Sequence, residues 1–169
     1  MVDIQTLAKS LFDSIRHQSR MTHSGVVIAS AAILDNQLER VLKKAMRPLS
    51  KKMHKRLFES FGPLSDLASK ILMAYALRII SVEIYDELEK IRQIRNEFAH
   101  SSEILNFDSK QIAPKFLALK KPQTSTKNPP EIFVKCVTVI HEFLEAYLVR
   151  MGEPHSDERL HVATAIKSC

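Results

Sequence analysis

Between Ser81 and His100 the chain reads SVEIYDELEKIRQIRNEFAH, and this run narrows what the whole can become. Ile84, Tyr85, Leu88, Ile91, Ile94 and Phe98 recur at steps of three and four, the pattern of one buried helical face. Ser81 stands where an N-cap belongs, and Glu83, Asp86 and Glu87 put negative charge on the first turns, which a helix N-terminus favours. Arg92, Arg95 and His100 crowd the other end, where cations suit the last carbonyls. Those charges are ordinary helix design. They leave unexplained a polar Asn96 beside Arg95, with His100 five positions after the arginine.

The same period recurs along the chain. Asp3 can cap a first helix whose stripe is Ile4, Leu7, Ala8, Leu11, Phe12 and Ile15. A longer helix is expected from about Val26 to Met46, with Val27, Ala31, Leu34, Leu38, Val41, Leu42 and Ala45 inward and Pro48 as its stop. A short basic helix over 51–61 would turn Met53, Leu57, Phe58 and Phe61 inward, before a break at Gly62-Pro63. Ser65 or Asp66 would cap the next helix, over 67–80, with Leu67, Ile71, Tyr75 (or Leu72, Ala76) and Ile79 inward. Its very short link to the 81–99 helix makes the two antiparallel neighbours. After His100 the period fails until Pro129-Pro130 opens a last helix ending near Gly152. Apolar patches at Ile104-Leu105-Phe107 and Phe116-Leu117-Leu119 suggest that this irregular segment folds back on the helices.

Only three glycines, no tryptophan and few β-branched runs argue against an all-β fold. The expectation is an all-α, single-domain bundle of five to seven helices over 1–152, with an irregular excursion at 101–129 and a tail or weak helix at 153–169. No run is long and apolar enough for a membrane span, and the N-terminal stretch lacks the pattern of a secretory signal. Cys136 and Cys169 are isolated, which fits a reducing cytoplasm without a disulfide framework, and Cys136 reads as a core residue. No two histidines sit four apart with a carboxylate partner, so neither a metal site nor a cofactor is expected. Tyr75 and Tyr85 should pack in the core, and Glu142 and Glu145 should be solvated.

Charge adds a second feature. The net charge is +6, and it is concentrated: Arg40, Lys43, Lys44, Arg47, Lys51, Lys52, Lys55 and Arg56 follow one another with no acid between them. A second acid-free stretch runs from Lys110 to Lys127. Such patches attract phosphate or an acidic partner, although a solvated helix end reads the same way. There is no Gly-rich phosphate loop and no dinucleotide fingerprint. A helix-turn-helix from the 67–80 and 81–99 pair would present acids where DNA contacts are made.

The chemistry available at the 95–100 run depends on where its helix stops. On a continuous helix, Arg95 and His100 point about 140° apart. If the helix ended at Ala99-His100, the imidazole could swing back toward the guanidinium. His100 would then act as general base on a ribose 2′-hydroxyl, Arg95 would hold the phosphate, and Asn96 would orient one of them. The product would carry a 2′,3′-cyclic phosphate, with no metal involved.

The run Ile94-Arg95-Asn96-Glu97-Phe98-Ala99-His100 resembles the Arg-x4-6-His motif of the HEPN superfamily. That resemblance implies a helical bundle, commonly dimeric, in whose active members the Arg and His of two facing protomers form a metal-independent RNase site. If the cluster belongs to the superfamily it resembles, Asp35, Asn36 or Glu39 of the second helix would stand beside it. A longer stretch, GPLSDLASKILMAYALRIISVEIYDELEKIRQIRNEFAH, is similar to the core of the mannitol-operon repressor (MltR) family. The family often has Gly after the Leu of its Tyr-Ala-Leu, where this chain has Arg78. This resemblance implies an all-helical cytoplasmic bacterial regulator, expected as a homodimer. It would regulate transcription through a protein partner rather than by reading base edges. The alternatives are a HEPN-type endoribonuclease or toxin using Arg95 and His100, and a non-catalytic nucleic-acid-binding module.

Overall fold

The computed structural model describes residues 23–103, 105–122 and 125–152. They form six helices: α1 (His23–Ala45), α2 (Lys51–Phe58), α3 (Leu67–Ala76), α4 (Val82–His100), α5 (Ala113–Leu117) and α6 (Pro129–Gly152). No strand occurs among the described residues. The stripe expected at 4–15 and the tail at 153–169 lie outside them.

α1 is the axis of the bundle. It packs lengthwise on α6 and also on α4 and α3, while α4 packs on α3 and α5. Its contact stripe, Val27, Ala31, Leu34, Leu38, Val41 and Leu42, is buried, as the spacing predicts. Leu88, Ile91, Ile94 and Phe98 of α4 meet it from one side, and Phe133, Val137, Ile140 and Leu144 of α6 from the other. The segment after α4 does fold back. Phe107 is 1% exposed, and its ring lies 4.7–5.6 Å from those of Phe98, Phe116, Phe133 and His23.

Local chemistry sets the helix starts. Ser50 accepts from the Met53 N–H, Asp66 from the Ser69 N–H and Ser81 from the Ile84 N–H. Pro129 opens α6 in the first turn, where its missing N–H costs no hydrogen bond.

Two helix ends differ from the sequence reading. α2 stops at Phe58, not Phe61. Ser60 adopts a left-handed φ of 54°, which breaks the i→i−4 ladder. The chain then turns back so that the Leu64 N–H reaches the Leu57 carbonyl at 2.8 Å. Leu64 enters the core at 3% exposure, whereas Phe61 stands 104% exposed and Met53 is also exposed. α3 ends at Ala76 in a Schellman motif: the Arg78 N–H donates to the Tyr75 carbonyl and the Ile79 N–H to the Ala74 carbonyl, both at 2.9 Å. Arg78 takes the left-handed conformation there, φ 56°.

The inward face of α3 keeps Leu67 and Ile71 as expected but takes Lys70 and Ala74 in place of Tyr75. Lys70, Ile71 and Ala74 are buried, while Leu72, Tyr75 and Ala76 are exposed. The reason is a buried ion pair made by Lys70, which apolar periodicity cannot register.

Candidate functional site

Where α1, the N-terminal end of α3 and the second half of α4 meet, they leave an open cleft of about 380 Å3. Ile28, Ala31 and Ala32 of α1 form its apolar wall, where the small alanines leave room. Arg92, Arg95 and Asn96 line it from α4, and Ser65 and Asp66 from the turn before α3.

Each charge on this wall has a distinct status. Arg92 donates to both oxygens of Glu89 one turn earlier, at 2.7–3.2 Å. Those hydrogen bonds, outweighing burial, raise the guanidinium pKa further. Asp66 is committed as the α3 cap, and the Ser69 backbone N–H above all lowers its carboxyl pKa. Arg95 differs. It donates to the Asn96 Oδ1 at 3.1 Å and pairs with no carboxylate among the described residues. Its remaining N–H groups are available to an anion in the cleft.

Behind this wall lies an ion network. The Lys70 Nζ, at 2% side-chain exposure, contacts Asp35 Oδ2 at 2.8 Å and Glu39 Oε2 at 3.2 Å. Glu39 also takes Lys43 at 2.7 Å and the His54 Nε2 at 3.3 Å. Asp35 therefore borders the cleft that holds Arg95, while Glu39 is occupied elsewhere and Asn36 is exposed. Glu145, expected to be solvated, takes Arg40 at 2.6 Å and is largely covered. Tyr75 and Tyr85 lean on each other, with ring centroids 4.9 Å apart, at the exposed edge of the α3–α4 hairpin.

The helix end decides how Arg95 and His100 relate. α4 runs through His100, and the Ser101 N–H closes its last turn on the Glu97 carbonyl at 3.1 Å. The helix thus ends at His100, where the spacing predicts its end, yet the imidazole stays outside the cleft. His100 is exposed and does not line the cleft, and the two side chains leave the helix about 140° apart. Within one copy of the chain, the cleft brings together Arg95 and Asn96 without His100.

The basic run forms a separate face. Arg40 is tied to Glu145, and Lys43 to Glu39 with its Nζ 5.6 Å from the Phe58 ring centroid. Lys44, Arg47, Lys51, Lys52, Lys55 and Arg56 are all exposed and pair with no carboxylate among the described residues. Lys43, Lys51, Lys55 and His54 border a shallow groove of about 410 Å3 together with Leu49 and Glu59. In the second basic stretch, Lys115 pairs with Glu97 at 2.9 Å and Lys121 lies 4.9 Å over Phe116, so part of that charge serves the fold.

The class defined by these features is an all-α bundle whose long helices are all engaged in a common core. A family model described as mannitol repressor, MtlR, matches residues 10–150. The chain belongs to the mannitol repressor family. A solved chain from the "X-ray structure of the MtlR-HPr complex from Escherichia coli" shares its fold, with a TM-score of 0.55 at 17% identity, covering 74% of this chain and 88% of that one. No curated protein sequence matches the chain. Among the described residues, no helix is long and apolar enough to cross a membrane.

Proposed function

We propose that this chain regulates transcription by docking a protein partner and does not read DNA sequence itself. The supporting observation is the disposition of α4. In the α3–α4 hairpin it would have to be the recognition helix, which offers its N-terminal turns to the bases. Its exposed first turns carry Glu83 and Asp86, which repel phosphates. The structural neighbour comes from a complex with HPr, which makes HPr the first partner to try. Isothermal titration of the full chain with HPr should give a saturable complex. Operator-region duplexes should bind only weakly, in a salt-labile and sequence-independent way. Sequence-specific DNA binding without any HPr complex would overturn the reading.

A second reading has one observation behind it: the open guanidinium of Arg95 beside Asn96. A HEPN-type ribonuclease would pair it with a His100 supplied by a facing copy, so this reading requires a homodimer. Sedimentation tests the dimer, and RNA incubated in EDTA tests the chemistry. Under the docking reading no cleavage occurs. Cyclic-phosphate ends that vanish in folded Arg95→Ala and His100→Ala would replace it with the nuclease reading.

A further inference from the structure

The segment from Lys51 to Leu64 holds a large aromatic ring out in water on a rigid, strongly basic support. Phe61 is fully exposed. Its backbone is closely constrained. Ser60 before it is in the left-handed region, which serine occupies only at a cost. Gly62 after it sits so tightly on the end of α2 that a Cβ there would come within 2.5 Å of the Leu57 carbonyl oxygen and 2.7 Å of that of Arg56. The Gly62 N–H donates to the Glu59 carbonyl at 3.0 Å, and the Ser65 N–H to the Gly62 carbonyl at 3.1 Å. Pro63 stiffens the exit. The turn is therefore organised to present Phe61 and not to bury it.

The surroundings indicate what it meets. Gly62 touches the Arg56 carbonyl, which places Phe61 beside the last turn of α2. Lys52 and Arg56 are one turn apart on that helix, both exposed and without a carboxylate partner among the described residues. Met53, 43% exposed, lies one turn before Arg56 on the same helix. An aromatic anchor with an adaptable methionine and a rim of open cations is the composition of a protein-docking hot spot.

We propose that α2 and the Phe61 turn form a docking surface for a protein partner that offers an apolar pocket rimmed by Asp and Glu. This surface is independent of whether HPr is a partner. A nucleic acid fits less well. Single-strand binders line a groove with several stacking aromatics, whereas here Phe58 is buried and the His54 ring is stacked against it.

The test is a random-peptide display selection on the full chain, followed by anisotropy titration of the enriched peptides and of an oligouridine RNA. Wild type, Phe61→Ala and Lys52→Glu/Arg56→Glu are compared, each shown to be folded by circular dichroism. The enriched peptides should combine acidic residues with large apolar ones. Phe61→Ala should weaken them about 30-fold, the loss that truncating an aromatic hot spot produces. The charge-reversal variant should lose them as well. Enrichment indifferent to Phe61, or no acidic enrichment, overturns the proposal. So does RNA binding that depends on Phe61, which would make the ring a base-stacking platform. A sedimentation mass altered by Phe61→Ala would also overturn it, making the face a contact between copies.

Discussion

The Lys70 ammonium crosses from α3 to Asp35 of α1, 2.8 Å from Oδ2, with 2% of its side chain exposed. Glu39 stands one turn further along α1 and takes the same nitrogen at 3.2 Å. Two carboxylates thus hold one buried cation, and this network fixes how α3 sits on α1. Removing the cation leaves partly buried carboxylates facing each other. Lys70→Met should cost about 3 kcal/mol or more. For a domain of this size that is a fall in Tm of roughly 6–12 °C. Asp35→Asn should cost less, because Glu39 still engages the lysine. Thermal melts of the two variants check the order.

The network also sets an acid limit. Burial pushes the Glu39 carboxyl pKa up, but Lys43 and Lys70 together outweigh it and hold it below the ordinary 4.5. As pH falls, the unfolded chain therefore takes up this proton before the native one does. Glu39 contributes its full stabilisation above pH 4.5, and that contribution disappears as pH drops through the lowered native value. The Tm gap between wild type and Glu39→Gln should be widest near neutrality and close in acid.

His141 acts in the same direction at higher pH. Burial lowers its imidazole pKa below 6.5, with Glu145 opposing and Arg40 assisting. Its neutral form is favoured in the fold, so stability is lost as pH falls from 6.5 through the native value. His141→Gln should flatten that part of the Tm–pH profile.

Arg78 occupies the left-handed position of a Schellman motif, where a glycine carries no Cβ penalty. Arg78→Gly should stabilise the chain by about 0.5–1 kcal/mol, the relief of left-handed strain less the extra backbone entropy of glycine. Gly62 makes the opposite case, since its neighbours are backbone carbonyls that cannot move aside. Gly62→Ala should cost about 2 kcal/mol or more. Chemical denaturation with a common m-value tests both.

Cys136 should be inert. Burial above all, with help from Glu87, pushes its thiol pKa up to about 11 against a weaker opposing pull from Lys121. At pH 8 roughly one such thiol in a thousand is ionised. In a Cys169→Ser background, iodoacetamide should label native protein at least ~100-fold more slowly than protein in guanidinium. Comparable rates would show that the pocket around Cys136 opens readily.

Much of this architecture could be read locally. The stripes of α1, α4 and α6, the caps at Asp66 and Ser81 and the opening at Pro129 all follow from residues within one or two turns of each other. The departures have two sources, a distant partner in one case and a local backbone turn in the other. Tyr75 was expected inside because apolar spacing ranks it above Lys70, yet Lys70 is buried by acids more than thirty positions away. Phe61 was expected inside because it continues the stripe of Phe58, yet the left-handed Ser60 ends the helix first.

The cluster at the end of α4 divides in the same way. Sequence placed Arg95 and Asn96 side by side, and they share a hydrogen bond in the cleft. It could not decide whether His100 joins them, because that depends on which side chains the neighbouring helices enclose in the cleft. Helical periodicity and capping are short-range, so the sequence by itself determined the spans and inward stripes of the long helices, but not the short helix Ala113–Leu117 inside the segment read as irregular. Which charges are buried, which cation stays open to the cleft and which aromatic faces water were decided only by the tertiary structure. Those outcomes depend on the electrostatic and steric complement supplied by other helices.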